Sequence, residues 1–447
     1  MYSEAVRMSL PAVCDATSEQ RGPLWASLPG AKRQRRLAVH SFHRYFGKLI
    51  PAIPRQAVAL YTSPGDWVAD PFCGSGTTLV EAVAAGRRAL GLDINPLAVL
   101  ISRAKTTGYP VTLLRRQAAA LEESLGACNG GISVPAAALG IPNEAHWFQP
   151  QAGADLAALL GVLRRWPDPD ARLFFLACVS AIIRRVSNAD PRHIFPGYSK
   201  RLRALDRAGL RPIQVQAAFR QAVQKRLSAL EELQRLPGFS RFRVEVKTAA
   251  ATTLPQVAPA EGVRLIVTNP PYLGSIRYLE TMKLEMFCLG LVQTPQALAD
   301  LDRQGLGSER IYAAEYKQFE PCGLEQVDAL ASRLFAAGHR KMARVTQRYF
   351  LSMREFLQAA ASSLQPGGHL VVKISDSYVR GLRIPTHGIL LDLAAPLGLH
   401  PVEVFRDAIQ SHSLTTRRNS YSRLLPWDWL VVWERRGGPS VSEKPSG

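Results

Sequence analysis

One short run of the 447-residue sequence decides the fold: Trp67-Val68-Ala69-Asp70-Pro71-Phe72-Cys73-Gly74-Ser75-Gly76-Thr77-Thr78. The apolar residues before Asp70 predict a buried strand, and the composition of Thr77–Ala85 predicts a helix. Glycines between a strand and a helix let the backbone approach a ligand closely, and the N-terminus of the helix presents free N–H groups. We therefore expect a strand–turn–helix unit whose turn faces a ligand.

The chain around this run repeats the alternation of strand-like and helix-like segments. Further strand patterns are found at Arg88–Leu92, Phe242–Val246, Leu265–Val267, His369–Ile374, Pro401–Phe405 and Leu430–Trp433. Strands separated by helical stretches are typical of α/β proteins, so we predict a doubly wound, mostly parallel sheet. The last two strands are expected to form a hairpin at the edge of that sheet.

Two helical stretches interrupt this alternation, and both are too long for ordinary loops. We therefore predict an α/β core with two helical insertions and with less ordered segments at both ends. The predicted boundaries are 39–109 and 241–435 for the core, 110–240 for a basic helical insertion, 276–345 for a second helical insertion within the core, 1–38 for a flexible basic arm and 436–447 for a disordered tail.

The composition narrows the class of protein. There are 55 Lys and Arg against 36 Asp and Glu, a net charge of +19, which indicates an anionic partner such as nucleic acid. The six cysteines lie far apart without metal-ligand spacing, so we predict a reducing cytoplasm and no metal site. The longest apolar run, Leu173–Ile183, is shorter than the roughly 20 residues that span a bilayer, and no signal peptide opens the chain. We expect no membrane association.

The glycine turn does not match the common nucleotide-binding motifs. No Lys follows Gly76, as a P-loop requires, and Leu79 stands where a dinucleotide site has its third glycine. Asp93 closes the next strand, where an acidic residue can reach two ribose hydroxyls, and Asp70 can hold an ammonium group or orient the turn. A ligand with a ribose and a cationic amino-acid end is S-adenosylmethionine. A tight turn without a ligand is the alternative.

A second motif, Thr268-Asn269-Pro270-Pro271-Tyr272, directly follows the strand pattern at 264–267. Two prolines end a strand because neither can donate to its ladder, so a plain strand stop is one interpretation. In the functional interpretation, the Asn269 side-chain oxygen and the Pro270 carbonyl accept hydrogen bonds from an exocyclic amino group, and Tyr272 stacks on an extruded base. A sulfonium methyl group is already activated, so positioning suffices and no strong general base is needed.

Together, the two motifs resemble those of the S-adenosylmethionine-dependent DNA amino-methyltransferases, which modify adenine N6 or cytosine N4. The segment from His43 to Pro51 resembles the part of that family that closes over the methionine end of the cofactor, and His369–Asp376 and Asn419–Trp433 resemble its later core strands. The resemblance implies a Rossmann-like methyltransferase core, S-adenosylmethionine as cofactor, and double-stranded DNA with a flipped base as substrate, in a restriction-modification setting.

The resemblance also implies roles for individual residues. The catalytic set is Asn269, Pro270, Pro271 and Tyr272, and the cofactor-binding set is Asp70, Phe72, Gly74, Gly76, Thr77 and Asp93. In that family, Asn or Asp before Pro-Pro-Tyr favours methylation of adenine N6, and Ser favours cytosine N4. Asn269 therefore implies adenine N6, with cytosine N4 as the alternative. Lys247-Thr248-Ala249 stands where the family usually has an acidic residue, so the contact to the cofactor's adenine is unassigned. The insertion at 110–240 separates the second predicted strand from the third. This arrangement does not fit cleanly any of the orders in which the family usually places its conserved motifs along the chain.

The positive charge concentrates in the first insertion, between Arg192 and Arg226, where nine basic residues face one acidic residue. Nucleic-acid surfaces combine such charges with aromatic groups, although a solvated helix face is the simpler interpretation. The predicted DNA contacts are Arg192, Lys200, Arg201, Arg203 and Arg207, and the stretch 417–421 is a second candidate.

Three other functions remain open from the sequence. An RNA methyltransferase acting on guanine N2 or adenine shares a similar glycine turn, and a protein glutamine methyltransferase also uses an Asn-Pro-Pro-Tyr motif. A non-catalytic DNA-binding protein could retain the same fold. The oligomeric state is not predicted.

Overall fold

The computed structural model describes residues 14–15, 37–128, 139–237, 239, 244–274, 277–408 and 427–436. Most of the predicted basic arm, the candidate stretch at 417–421 and the tail beyond Arg436 lie outside these residues.

The strands form one eight-stranded sheet and one small hairpin. Their bounds are β1 Cys14–Asp15, β2 Trp67–Asp70, β3 Arg88–Asp93, β4 Val244–Thr248, β5 Val263–Thr268, β6 Leu364–Ile374, β7 Ser377–Val379, β8 Leu382–Ile384, β9 Leu399–Ala408 and β10 Trp427–Arg435. The sheet order is β1-β9-β10-β6-β5-β2-β3-β4, and β7 pairs with β8. Strands β2 to β6 pair in parallel, and β10 runs antiparallel to both β6 and β9. The predicted fold class is confirmed, including the antiparallel pair towards the edge.

The sheet is doubly wound, with helices on both faces, so its central strands are buried on both sides. In β2, Val68 belongs to one apolar cluster, whereas Trp67 and Ala69 belong to a second cluster on the other face. Alternate residues of a strand point to opposite faces, so an all-apolar strand needs helices on both sides. This packing explains why the strands read as continuous apolar runs.

Strand β6 begins at Leu364, earlier than the predicted start at His369. The pairing with β5 shifts register, because Leu364 lies opposite Val263 and His369 lies opposite Leu265. The Pro-Gly-Gly stretch at 366–368 therefore bulges out of the ladder, and such a stretch hides the start of a strand from a pattern of apolar residues.

Sixteen α-helices surround the sheet in the described part of the chain. Their bounds are α1 Ala52–Tyr61, α2 Thr77–Ala84, α3 Pro96–Lys105, α4 Val111–Cys128, α5 Glu144–Trp147, α6 Pro150–Arg164, α7 Pro169–Val186, α8 Lys200–Arg207, α9 Val215–Gln234, α10 Leu254–Val257, α11 Tyr278–Thr281, α12 Lys283–Cys288, α13 Pro295–Gln304, α14 Glu325–Ala336, α15 Arg340–Ser363 and α16 Thr386–Ala394. None of these helices combines the length and apolar character needed to cross a bilayer.

Helices α4, α6, α7 and α9 pack in the apolar cluster that contains Val68 of β2, which is the first of the two clusters. Helix α7 begins where Asp168 accepts hydrogen bonds from the N–H groups of Asp170 and Ala171. Its Phe175 meets Phe219 of α9 edge-on, with ring centroids 6.3 Å apart. Both aromatic residues share a cluster with β2 and β5, so this stretch contributes to the layer that supports the sheet.

The parallel strands end side by side at one edge of the sheet. From β5 through β2 and β3 to β4, the chain leaves this edge at Asn269, Asp70, Asp93 and Ala249 in turn. In open α/β sheets, ligands bind outside the carboxyl ends of the strands. This edge is therefore where a site is expected.

Candidate active site

A cavity of about 250 Å³ opens at this edge of the sheet. It gathers most of the residues that the sequence pointed to, from both motifs. Those that line it are Asp70, Phe72, Gly74, Thr77 and Asp93 of the predicted cofactor set, and Asn269 and Pro271 of the predicted catalytic set. Gly76, Pro270 and Tyr272 do not line it.

The glycine turn adopts a conformation that favours glycine at two positions. Gly74 and Gly76 have φ values of +49° and +74°. A Cβ atom on Gly76 would lie 2.8 Å from Oγ of Ser102, and that hydroxyl donates a hydrogen bond of 2.7 Å to the Gly74 carbonyl. Gly76 therefore acts behind the turn, where it allows close packing against α3, and does not face the cavity.

Replacing Gly76 with Ala is expected to destabilise the protein by about 1–3 kcal/mol, because a left-handed backbone and a steric clash are both imposed. Gly65→Ala is the matched control, since Gly65 has a φ of +90° but no atom within 4 Å of its Cβ position. In thermal unfolding, the loss of stability in Gly65→Ala measures the cost of the left-handed backbone alone. The additional loss in Gly76→Ala measures the steric clash with Ser102. Equal losses in the two variants would contradict a packing role for Gly76.

Asp70 is a buried carboxylate at the end of β2. Its Oδ1 accepts hydrogen bonds of 2.6 Å from the Thr268 hydroxyl and 3.1 Å from the Phe72 N–H. Burial outweighs these donors and raises the pKa of Asp70 to about 6. A cation bound beside this carboxylate would restore its ionised form.

Asp93 joins the glycine turn to the start of α3. Its two oxygens accept hydrogen bonds from the N–H groups of Gly74, at 2.9 Å, and Asn95, at 2.8 Å. Desolvation raises the pKa of Asp93 to about 6. Each carboxylate oxygen can accept a further hydrogen bond, so Asp93 can still receive the hydroxyls of a bound sugar.

The Asn269 side chain forms two hydrogen bonds that fix the direction of its amide. Its Nδ2 donates to the Gly47 carbonyl at 3.0 Å, and its Oδ1 accepts from the Tyr272 hydroxyl at 2.9 Å. The Tyr272 ring packs against the second apolar cluster. Asn269 is therefore oriented before any ligand arrives, and its oxygen is held by a neighbouring hydroxyl.

Residues 45–49, here called the cover segment, line the cavity together with the ends of the strands. Lys48 Nζ donates to the carbonyls of His40, at 3.0 Å, and His43, at 2.6 Å. His43 Nε2 lies 2.7 Å from the Ser180 hydroxyl of α7, and burial lowers the pKa of His43 to about 3. A neutral, buried His43 thus attaches the cover segment to the helical layer.

The structure adds cavity residues that sequence reasoning missed. The loop after α13 contributes residues 304–309, α15 contributes Phe356, and the turn after β4 contributes residues 249–252. Phe356 meets Phe72 edge-on, with ring centroids 5.1 Å apart. A Cβ atom on Gly305 would lie 3.5 Å from Ile94 Cδ1, so this loop approaches the residue that follows Asp93. Gly305 and Gly307 are the residues of this loop by which a close approach of its backbone to a ligand could have been suspected from the sequence.

The predicted DNA contacts separate into two groups. Helix α8 carries Lys200, Arg201, Arg203 and Arg207, all exposed, and the Arg203 guanidinium lies 5.4 Å from the centre of the Tyr198 ring. Arg192 is instead paired with Asp190, through contacts of 3.0 and 2.7 Å. Helix α8 is therefore the more available basic surface.

Two other arginines of the basic run serve the fold. Arg226 is buried and lies 5.2 Å from the centre of the Phe42 ring, and Arg211 is bound to Asp206 and to Asn188. Neither residue is among the predicted DNA contacts, and the count of nine basic residues in this run overstates the positive charge that is exposed there. A count of charges cannot tell a solvated arginine from one that packs on an aromatic ring.

Within the described ranges, no group of three or more His, Cys, Asp or Glu side chains is placed to hold a metal ion. Cys73 is buried in the glycine turn, and burial raises the pKa of its thiol well above the usual range. A thiol in such surroundings is not a reactive nucleophile.

Comparisons with known proteins agree with the motifs. A protein-family model for N6/N4 methyltransferases, described as DNA methylase, matches residues 12–103. The Type II methyltransferase M.MvaI of Kocuria varians is 21% identical over 406 residues, which cover 86% of this chain and 87% of that protein. The Type II methyltransferase M.MjaII of Methanocaldococcus jannaschii is 36% identical over 86 residues, which cover 19% of this chain and 16% of that protein.

Among solved structures, TrmN from Thermus thermophilus aligns with 90% of this chain and 52% of its own length, at 12% identity and a TM-score of 0.32. That score is too low to assign a role to any residue here. The span matched by the family model, by contrast, contains the glycine turn together with Asp70 and Asp93.

Proposed function

We propose that this chain transfers a methyl group from S-adenosylmethionine to the exocyclic amino group of a flipped DNA base, with adenine N6 as the first choice. The proposal starts from the chain's membership of the N6/N4 family of DNA amino-methyltransferases. The observation that carries the proposal is the order of groups along one cavity. Asn269, Asp70, Asp93 and the turn after β4 leave neighbouring strands in that order and all line it.

The cofactor-binding residues suit a molecule that is cationic at one end and carries a sugar diol in the middle. Asp70 is a buried carboxylate whose pKa is raised by burial, and an ammonium group bound beside it would stabilise its ionised form. Asp93 has acceptor capacity left for two hydroxyls. Ile94 and the small residues at 249–251 also line the cavity, and they are proposed to contact the flat ring of the cofactor.

The base-binding residues act by holding an amino group in place. Asn269 Oδ1 accepts a hydrogen bond from that group once the Tyr272 hydroxyl releases it, and the Pro270 carbonyl is proposed as the second acceptor. S-adenosylmethionine supplies a methyl group bonded to a positively charged sulfur. The amino nitrogen, held by Asn269 and Pro270, would bond to this methyl carbon while the sulfur keeps the electron pair of the carbon–sulfur bond, and the surplus proton would pass to water. Positioning of the reacting atoms within about 3–3.5 Å is then the main contribution of the protein.

Methyl transfer to duplex DNA, followed by nucleoside analysis, tests the proposal. The chain is incubated with tritiated S-adenosylmethionine and duplex DNA that contains all common sequence contexts, and the DNA is digested to nucleosides. We expect label in N6-methyladenine. Label in N4-methylcytosine would overturn the choice of adenine alone, whereas label only in RNA or in protein would overturn the choice of DNA.

Helix α8 is proposed as a DNA-binding surface, because its four basic side chains are exposed and one lies over an aromatic ring. Each phosphate contact contributes about 0.9 to the slope of log affinity against log salt. Replacing Arg201, Arg203 and Arg207 together with Gln is expected to reduce that slope by two to three and to weaken DNA binding uniformly across sequences. Fluorescence anisotropy at several salt concentrations measures both effects.

The matched control removes the same charge from other exposed positions. Arg116, Arg165 and Arg333 are exposed and lie on or beside other helices. Their triple replacement with Gln is expected to leave the slope near the wild-type value. Equal slopes for the two triple variants would move the DNA-binding surface away from α8.

A further inference from the structure

The Asn269 amide connects two parts of the molecule that are far apart in sequence. Its oxygen faces Tyr272 in its own loop, whereas its nitrogen donates to Gly47 in the cover segment at 3.0 Å. The bond to Gly47 determines which end of the amide faces which partner, because a carbonyl accepts only from a donor, whereas the Tyr272 hydroxyl can donate or accept.

The cover segment contacts the cofactor side of the cavity as well. A Cβ atom on Gly74 would lie 3.0 Å from Cε1 of Tyr45, so the Tyr45 ring lies directly against the glycine turn. Gly47 has a φ of +70°, and a Cβ atom there would lie 2.9 Å from the Tyr278 ring. Gly47 therefore lies tightly against Tyr278 while its carbonyl accepts the hydrogen bond from Asn269.

We propose that the Asn269 amide nitrogen is a positioning group that holds the cover segment closed over the cavity, so that Asn269 has a second role besides accepting the target amino group. The proposal rests on the proposed function only for what the cavity binds. The closure itself is a property of the chain without ligands.

A consequence is that a carboxylate cannot replace the amide in this chain. An ionised Asp at position 269 places an acceptor oxygen, where Asn269 has its donor, opposite the Gly47 carbonyl, whereas the protonated form has one O–H that can donate. The hydrogen bond from Asn269 Nδ2 to the Gly47 carbonyl is here called the tether. The second hydrogen bond, from Tyr272, is made to the oxygen and is independent of the tether. Asn269→Ala removes the tether, Asn269→Asp retains it only when the carboxyl group is protonated, and Tyr272→Phe retains it at every pH.

Trypsin cleavage of the full chain without ligands measures closure, because Arg44 and Lys48 are tryptic sites at the ends of the cover segment and must open locally before cleavage. The early rate of cleavage after Lys48 is followed by mass spectrometry. At pH 8, Asn269→Ala and Asn269→Asp are expected to be cleaved about five- to tenfold faster than the wild type, as expected for the loss of one hydrogen bond. Tyr272→Phe is expected to be cleaved at the wild-type rate.

Cleavage at lower pH shows whether the faster cleavage of Asn269→Asp is due to loss of the hydrogen bond to Gly47 or to a general disturbance of the structure. At pH 5.5, the rate for Asn269→Asp relative to the wild type at the same pH is expected to fall, while that for Asn269→Ala stays raised. Unchanged cleavage in Asn269→Ala, equal acceleration in Tyr272→Phe, or no recovery of Asn269→Asp would each overturn the proposal.

Cofactor affinity distinguishes this inference from the proposed function. By calorimetry, Asn269→Ala is expected to bind S-adenosylmethionine about five- to tenfold more weakly than the wild type. If the wild type itself does not bind S-adenosylmethionine, the proposed function fails while the proteolysis result stands. If the wild type binds and the Ala variant binds equally well, the tether does not serve the cofactor cavity, and the inference fails alone.

Discussion

Replacing Asn269 with Ala is expected to lower the rate of methyl transfer by about 10²–10³-fold at saturating S-adenosylmethionine, the range measured when one oriented hydrogen-bonding group is removed from an active site. The variant loses the side-chain oxygen that orients the amino group and also the tether to Gly47. The tether affects cofactor affinity by about tenfold at most, so it cannot account for a loss of this size once the cofactor is saturating.

Single-turnover kinetics with preformed enzyme–cofactor complex measure this loss without a contribution from product release. Thermal unfolding of the same variant controls for misfolding. Because Asn269 is half-buried at the end of β5, we expect a small change in unfolding temperature. A variant that transferred methyl groups at the wild-type rate would remove Asn269 from the base site.

The second large effect is expected for Asp70→Asn, which should strongly weaken the binding of S-adenosylmethionine and stabilise the protein without ligands. Loss of a buried charge opposite the cofactor's ammonium group costs about 10²-fold or more in affinity. The amide oxygen of Asn can still accept from Thr268 and Phe72, so the local hydrogen bonds survive. Calorimetry and thermal unfolding measure the two changes.

The expected stabilisation follows from the direction of the pKa shift. The pKa of Asp70 is raised from 3.8 to about 6, so the folded protein favours the neutral form. The stability that this neutral form contributes is present at low pH and is lost as the pH rises through about 6. At pH 8 the ionised group costs on the order of 1–3 kcal/mol, which Asn avoids. The advantage of Asp70→Asn should therefore vanish below about pH 4.

Asp93→Asn is the informative contrast. Both Asp93 oxygens accept backbone N–H groups, so one of them would meet the new NH2 group. Both carboxyl groups have a pKa raised to about 6, so each replacement removes a similar cost of burying a charge. Asp93→Asn also breaks a hydrogen bond, so at pH 8 it is expected to be less stable than Asp70→Asn by about 1–3 kcal/mol. Equal stabilities of the two variants would contradict the different environments assigned to the two carboxylates.

The elements that local sequence determines were predictable. The strands β2, β3 and β5 are short apolar runs bounded by turn residues, and their ends carry Asp70, Asp93 and Asn269. Because parallel strands end at one edge of a sheet, residues that close successive strands meet in space without any further information. The fold class and the residues gathered in the cavity follow from this rule.

Contacts between distant segments were not predictable. The bond from Asn269 to Gly47 joins residues 222 positions apart, and the loop at 304–309 enters the cavity from a helical stretch that has no motif. Arg226 lies in a basic run in the sequence, yet it packs on Phe42 in the core. Each of these depends on how layers pack, which the periodicity of one segment does not encode.

A crystal structure of the chain with S-adenosylmethionine bound would show where the sulfonium methyl group lies relative to Asn269. We expect the ammonium group to lie against Asp70, the ribose hydroxyls against Asp93, and the methyl group in the part of the cavity bordered by Asn269. A cofactor bound elsewhere, or bound here with its methyl group directed away from Asn269, would contradict this expectation.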